Sequence, residues 1–171
     1  MAASGDRLPD LKETLDNLGF LDRFRFRRIQ ARCSRADALS ARGDLAAARQ
    51  LYTRVVSDYE QLLGRETLLS LTAREDLALT YADKPAEALP RLQELLPAFE
   101  RVAGPDDRRT LKLRTNIATT TGMGGDNSAA RDQFEAVAAD YERVFGTENE
   151  DLAAVRQMLE YARTQAARID A

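Results

Sequence analysis

The chain has 171 residues, enough for one domain or one short repeat array, and its 44% apolar content excludes disorder throughout. A formal net charge of -3 gives no whole-molecule field that would draw nucleic acid or a membrane surface. With no His, the Ser-His-Asp and Cys-His arrangements and the common zinc sites are excluded, and the lone Cys33 excludes an intramolecular disulfide.

Ala, Leu and Val dominate the apolar set, with no Trp, nine Gly and five Pro, which is helix-forming material with little turn chemistry. No run approaches the length of apolar residues that a membrane span needs, and residues 1–10 lack a basic patch followed by an apolar stretch, so a reducing cytoplasm is the expected compartment. Periodicity and turn signals predict helices at about 8–18, 23–42, 45–63, 67–82, 85–103, 107–121, 127–145 and 148–169.

From Asp22 to Arg42 seven Arg face two Asp, a local balance of +5 that leaves -8 for the rest of the chain. Arg23, Arg25, Arg27 and Arg28 alternate with Phe24 and Phe26, a mixture that suits an acidic partner or nucleic acid. The plainer reading is an amphipathic first helix with Phe24, Ile29 and Phe26 inward and its arginines in water. Cys33 sits beside Arg32 and Arg35, which would lower its pKa, although a single helical Cys usually serves packing.

In the next helix Leu45, Ala48, Tyr52, Val55, Val56, Tyr59 and Leu62 recur at three and four residues, one face of a helix. Asp44 suits its N-cap and Gly64 its exit. The segment Gly43-Asp-Leu-Ala-Ala-Ala-Arg-Gln-Leu-Tyr, running to Tyr59-Glu60 and Gly64, returns as Gly125-Asp-Asn-Ser-Ala-Ala-Arg-Asp-Gln-Phe, running to Tyr141-Glu142 and Gly146. A third copy runs from Asp83 through Ala88, Leu92 and Phe99-Glu100 to Gly104. Each copy spans 21 steps, and the columns Ala48/Ala88/Ala130, Tyr52/Leu92/Phe134 and Tyr59/Phe99/Tyr141 read as small, large and aromatic packing positions.

Pro85 fits a first helical position, whereas Pro90 and Pro97 inside the same pattern predict a bend, or a helix that starts only at Pro90. Asp126 or Asn127 would cap the next long helix. Arg32, Arg74, Arg114 and Arg156 form a further column with separations of 42, 40 and 42, which reads as rib chemistry with partners such as Glu60, Glu100 and Glu142. Glu160 stands where earlier units have Ala36, Ala78 and Ala118, as expected of a polar capping helix.

Gly-Asp-x-x-x-Ala-x-x-x-(Tyr/Phe), then Tyr/Phe-Glu and Gly, resembles the long tetratricopeptide repeats of the kinesin light chain type, and the stretch from Gly104 to Ala118 is the most similar. The His-Pro pair common in that family is absent. Asn116 keeps the family's Asn, while Asp76 and Met158 hold its place in other units. HEAT and armadillo repeats share the period but not this turn. The resemblance implies an all-α, right-handed superhelical solenoid of antiparallel helix pairs: an N-terminal cap at 1–22, three pairs at 23–147 and a capping helix at 148–171.

It further implies that the first helix of each pair lines a concave groove. Gln30, Cys33, Ser34 and Asp37 fall there from one unit, Thr72, Glu75, Asp76 and Leu79 from the next, and Lys112, Thr115, Asn116 and Thr119 from the third. The expected function is a non-enzymatic scaffold holding a peptide or helix of a partner protein, with no catalytic residues, metal or cofactor. The alternative is a regulatory module whose basic first helix contacts nucleic acid or an acidic partner; no membrane role is expected, and the oligomeric state is not legible.

Overall fold

The computed structural model describes Thr14, Asp16 and residues 18–169. Among these there is no strand and there are seven helices: α1 (Phe20–Ala41), α2 (Leu45–Leu63), α3 (Leu68–Leu79), α4 (Pro85–Val102), α5 (Arg108–Met123), α6 (Asn127–Phe145) and α7 (Glu150–Ile169). The helix expected at 8–18 lies almost wholly outside the described residues. The other seven are present, their ends displaced by three residues at most.

Capping explains the starts. The side chains of Asp44, Thr67, Asp107 and Asp126 accept from Ala47, Ser70, Arg109 and Ala129 backbone N–H groups, and Asn149 does the same for Leu152. Asp126 is therefore the cap, and Asn127 is the first helical residue. At the exits, Gly64 (φ 94, ψ 162) and Gly146 (φ 84, ψ 173) lie in an extended, positive-φ region of backbone space that only glycine enters freely, distinct from the left-handed helical region.

Helix α4 begins at Pro85 and runs unbroken through Pro90 and Pro97, so the start at Pro90 is excluded. Each proline leaves one carbonyl four residues earlier without its helical donor, those of Ala86 and Gln93. Both prolines and both of these residues are exposed, so the freed carbonyls belong to solvent-exposed residues of the helix.

The described residues up to Asp83 form one compact unit and those from Lys84 a second. In the first, α2 packs on α1 and α3; in the second, α5 packs on α4, α6 on α5, and α7 on α6 with a lighter contact to α5. Asp83 holds the place of Gly43 (φ 81) and Gly125 (φ 99), and no described non-glycine residue adopts positive φ, so the turn at the division differs from its counterparts.

The repeat columns are the core. None of the nine residues in the Ala, large and aromatic columns is more than 4% exposed, and burying a large apolar side chain contributes about 1.5–3 kcal/mol. Phe26 and Ile29 join Val55 and Tyr59 in the first unit as expected. Phe24 does not: it is 53% exposed, because two residues from Phe26 is a rotation of about 200° around the helix.

A trough beside the capping helix

The arginine column is structural in character. Arg32 pairs with Asp58, and Arg114 donates to Asp140 at 2.6 Å. Both acceptors lie two residues before the glutamates expected, on the face of α2 and α6 that turns toward the preceding helix. Arg156 does pair with Glu142, at 3.0 Å, while Glu60 instead meets Arg65 at 3.5 Å. Arg143 joins Asp106 and Asp140 at 2.6 and 2.8 Å, and its hydrogen bonds hold both carboxyls below their usual range.

In the first unit, Cys33 and Asp37 on α1 and Asp76 on α3 bring their sulfur and carboxylate atoms within 4.8 Å of one another. Tyr52 rises from α2 beneath them and donates its hydroxyl to Asp37. Burial first, then Asp37 and Asp76, pushes the Cys33 thiol up to about 12, the reverse of what its neighbouring arginines suggested. Burial and the bond to Asp37 raise Tyr52 likewise. A thiol held protonated is a poor nucleophile; within the group the Tyr52 hydroxyl bonds Asp37.

The remaining expected groove residues divide. Gln30, Thr72, Asp76 and Asn116 are half-buried, while Ser34, Asp37 and Lys112 are exposed. Glu75 is only 6% exposed and lies beneath the surface. Thr115 and Thr119 donate their hydroxyls back to the Leu111 and Thr115 carbonyls, at 3.0 and 2.9 Å, so a ligand would meet them as acceptors. On α1, Arg23 donates to the Leu18 and Asp16 carbonyls and Arg25 pairs with Asp22 at 3.6 Å. Arg27, Arg28 and Arg35 have no partner among the described residues and share an outer face with Phe20 and Phe24, whose rings meet edge to face at 5.0 Å.

A trough of about 480 Å³ lies in the second unit, walled by α5 and α7 and floored by Ala130 and Phe134 of α6. Thr119 and Met123 form one wall, and Ala154, Met158 and Tyr161 the other. Met158 and Tyr161 are 39% and 67% exposed, so the helix expected to be a polar cap carries an apolar stripe. The sequence held the signal. The step of 42 that carries Arg114 to Arg156 also carries Lys112, Thr115, Asn116 and Thr119 to Ala154, Gln157, Met158 and Tyr161, so α7 continues the same column.

The step of 82 from Gly43 to Gly125 superposes the two sites in sequence. Thr119, Phe134 and Met158 then stand where the first unit has Asp37, Tyr52 and Asp76; Gln157 and Gln165 stand for Glu75 and Asp83. One set of packing positions is acidic in the first unit and uncharged in the second. The first unit's site is also closed at its foot: Arg49 lies 3.8 Å from the Tyr81 ring centroid and donates to the Thr80 carbonyl at 2.6 Å.

Seven helices in succession, built on recurring Ala and aromatic columns, define an all-α helical-repeat protein of the solenoid class. The family described as tetratricopeptide repeat matches residues 28–67 and 110–151, so those two stretches carry the tetratricopeptide pattern. Among solved structures it resembles nearly identical TPR-like repeats of Podosopora anserina described as kinesin light chain repeats, with a TM-score of 0.72 at 19% identity over 84% of this chain and 69% of that one. It also resembles BtubC (BKLC) from P. vanneervenii, with a TM-score of 0.70 at 18% identity over 81% of this chain and 56% of that one. No curated protein sequence matches the chain. No helix among the described residues is long and apolar enough to cross a membrane.

Proposed function

We propose that this chain is a non-enzymatic protein-interaction scaffold in which the first-of-pair helices of each unit, α1 and α3 in the first and α5 and α7 in the second, present a surface to a peptide or helix of a partner. The observation that carries the reading is the trough at the expected column: a concavity of the second unit lies against Thr119 and the residues that continue its series on α7. A cavity near 480 Å³ with mostly apolar walls and side-chain amides at its edge suits recognition without chemistry. The polar cluster at Cys33, Asp37 and Asp76 supplies charge recognition in the first unit. A reducing, cytoplasmic setting fits a chain with a single Cys and so no internal disulfide.

The test is selection of phage-displayed random peptides on the full chain. The reading requires peptides that lose binding to the Lys112→Glu and Asn116→Ala variants, with circular dichroism melts unchanged. Peptides indifferent to both, and to changes along α7, would remove it.

The outer face of α1 favours a second reading, in which Arg27, Arg28 and Arg35 with Phe20 and Phe24 contact an acidic partner or nucleic acid. Those arginines have no partner among the described residues, whereas the arginines at 32, 49, 108, 114, 143 and 156 are all paired. Retention on heparin that falls steeply with salt, and is lost when Arg27 and Arg28 become Gln, supports it; salt-independent behaviour removes it.

A further inference from the structure

We propose that the trough between α5, α6 and α7 seats the uncharged apolar face of a partner helix and rejects charged side chains there. The inference rests on the scaffold reading and names the chemistry of the partner it takes.

Its support is a comparison within one chain. At the same repeat positions the first unit places Asp37 and Asp76, with the Tyr52 hydroxyl bonded to the former. The second unit places Thr119 and Met158 with Phe134 in the lining of the trough, the Thr119 hydroxyl 3.8 Å from the Met158 sulfur. Packing demands alone do not explain this, because both sets stand on helices with the same buried columns. The change removes every formal charge from the lining of the trough. A carboxylate or ammonium entering it would give up water and find no opposite charge, which is costly, whereas an apolar side chain leaves water favourably.

Shape commits the occupant to a helix. The lining on α7 runs from Ala154 to Gln165, which is about 16 Å of helix, or three turns. The volume exceeds what one side chain fills and has room for at least two apolar side chains one turn apart, the spacing at which an amphipathic helix presents them. Gln157 and Gln165 place amides at the edge, where they bond a partner's polar flank without selecting a charge.

The experiment uses the full chain and three labelled, helix-stabilised Ala/Gln peptides carrying a pair of Leu, Lys or Asp residues four apart, read by fluorescence anisotropy. N-phenylnaphthylamine, a neutral fluorophore, probes the trough separately. The variant is Thr119→Asp with Met158→Asp, each substitution copying the residue that the first unit tolerates at that place; a matched melt confirms folding.

The Leu peptide should bind the parent chain roughly tenfold or more tighter than the Lys or Asp peptides. The variant should lose the Leu peptide and the fluorophore signal, and gain affinity for the Lys peptide. Equal binding of the three peptides, an undimmed fluorophore signal in the variant, or an unchanged Leu affinity overturns the proposal. If the Leu peptide fails while phage-selected peptides still bind in a Lys112- and Asn116-dependent way, the trough proposal falls and the scaffold reading stands. If the phage-selected peptides fail too, both fall.

Discussion

Replacing Gly146 with Ala isolates a cost that no contact in the folded chain explains. A Cβ there meets nothing within 4 Å, so crowding contributes nothing. The backbone, at φ 84 and ψ 173, is a conformation that L-residues avoid at a cost of about 1–3 kcal/mol. Alanine also stiffens the unfolded chain, which returns about 0.4–1 kcal/mol. The net loss is about 1–2 kcal/mol, or a fall in Tm of about 2–8 °C in scanning calorimetry. Asn gives a sharper check, because it tolerates the left-handed helical region but not this extended one. Gly146→Asn should therefore be no more stable than Gly146→Ala, and Gly64, with φ 94 and ψ 162, should respond alike. Full stability of Gly146→Ala, or its rescue by Asn, would refute the backbone argument.

Four further outcomes are expected. A double-mutant cycle on Arg114 and Asp140, both about one-quarter exposed, should give a coupling near 1 kcal/mol, against a few tenths for the more exposed Arg163 and Glu135. The Arg143 bonds depress the Asp140 carboxyl below its ordinary 3.8, so the stabilisation is complete above that pH and is lost as pH falls through the lower folded-state value. Asp140→Asn should accordingly flatten the acid limb of a stability profile while leaving the slope near neutrality unchanged. Pro97→Ala should raise Tm by restoring the bond to the Gln93 carbonyl, a gain of about 1–3 kcal/mol; an unchanged melt would mean the turn is already relaxed. Cys33, its thiol near 12, should react with iodoacetamide at pH 8 far more slowly than a free thiol, and faster once Asp37 and Asp76 become Asn.

The packing of this chain is written in its sequence because one physical rule repeats. Each rib needs a small residue where helices meet and a large one in the gap, so Ala48, Ala88 and Ala130 could be aligned with Tyr52, Leu92 and Phe134, and all six are buried. Charge partners were less legible. Arg32 and Arg114 take Asp58 and Asp140 in place of the glutamates two positions on, a choice fixed by about 200° of helix rotation that spacing alone does not resolve. The same limit put Phe24 inward and Glu75 at the surface, where the structure has the opposite. The trough was hidden for another reason. Glu160 breaks the Ala series and marks α7 as a polar end, yet a different column on the same helix stays in register as Ala154, Met158 and Tyr161 and lines the trough. The change in the turn at Asp83 was visible as a missing glycine, but the division of the helices into two compact units was not.

The most direct measurement of the account is a backbone-amide and methyl NMR shift map of the isotopically labelled chain titrated with a phage-selected peptide. The perturbed residues should gather on the columns through Asp37, Asp76, Asn116, Thr119, Met158 and Tyr161, with the methyl groups of Met123 and Met158 moving most. Shifts confined to the outward faces of α2, α4 and α6, with those columns still, would contradict it.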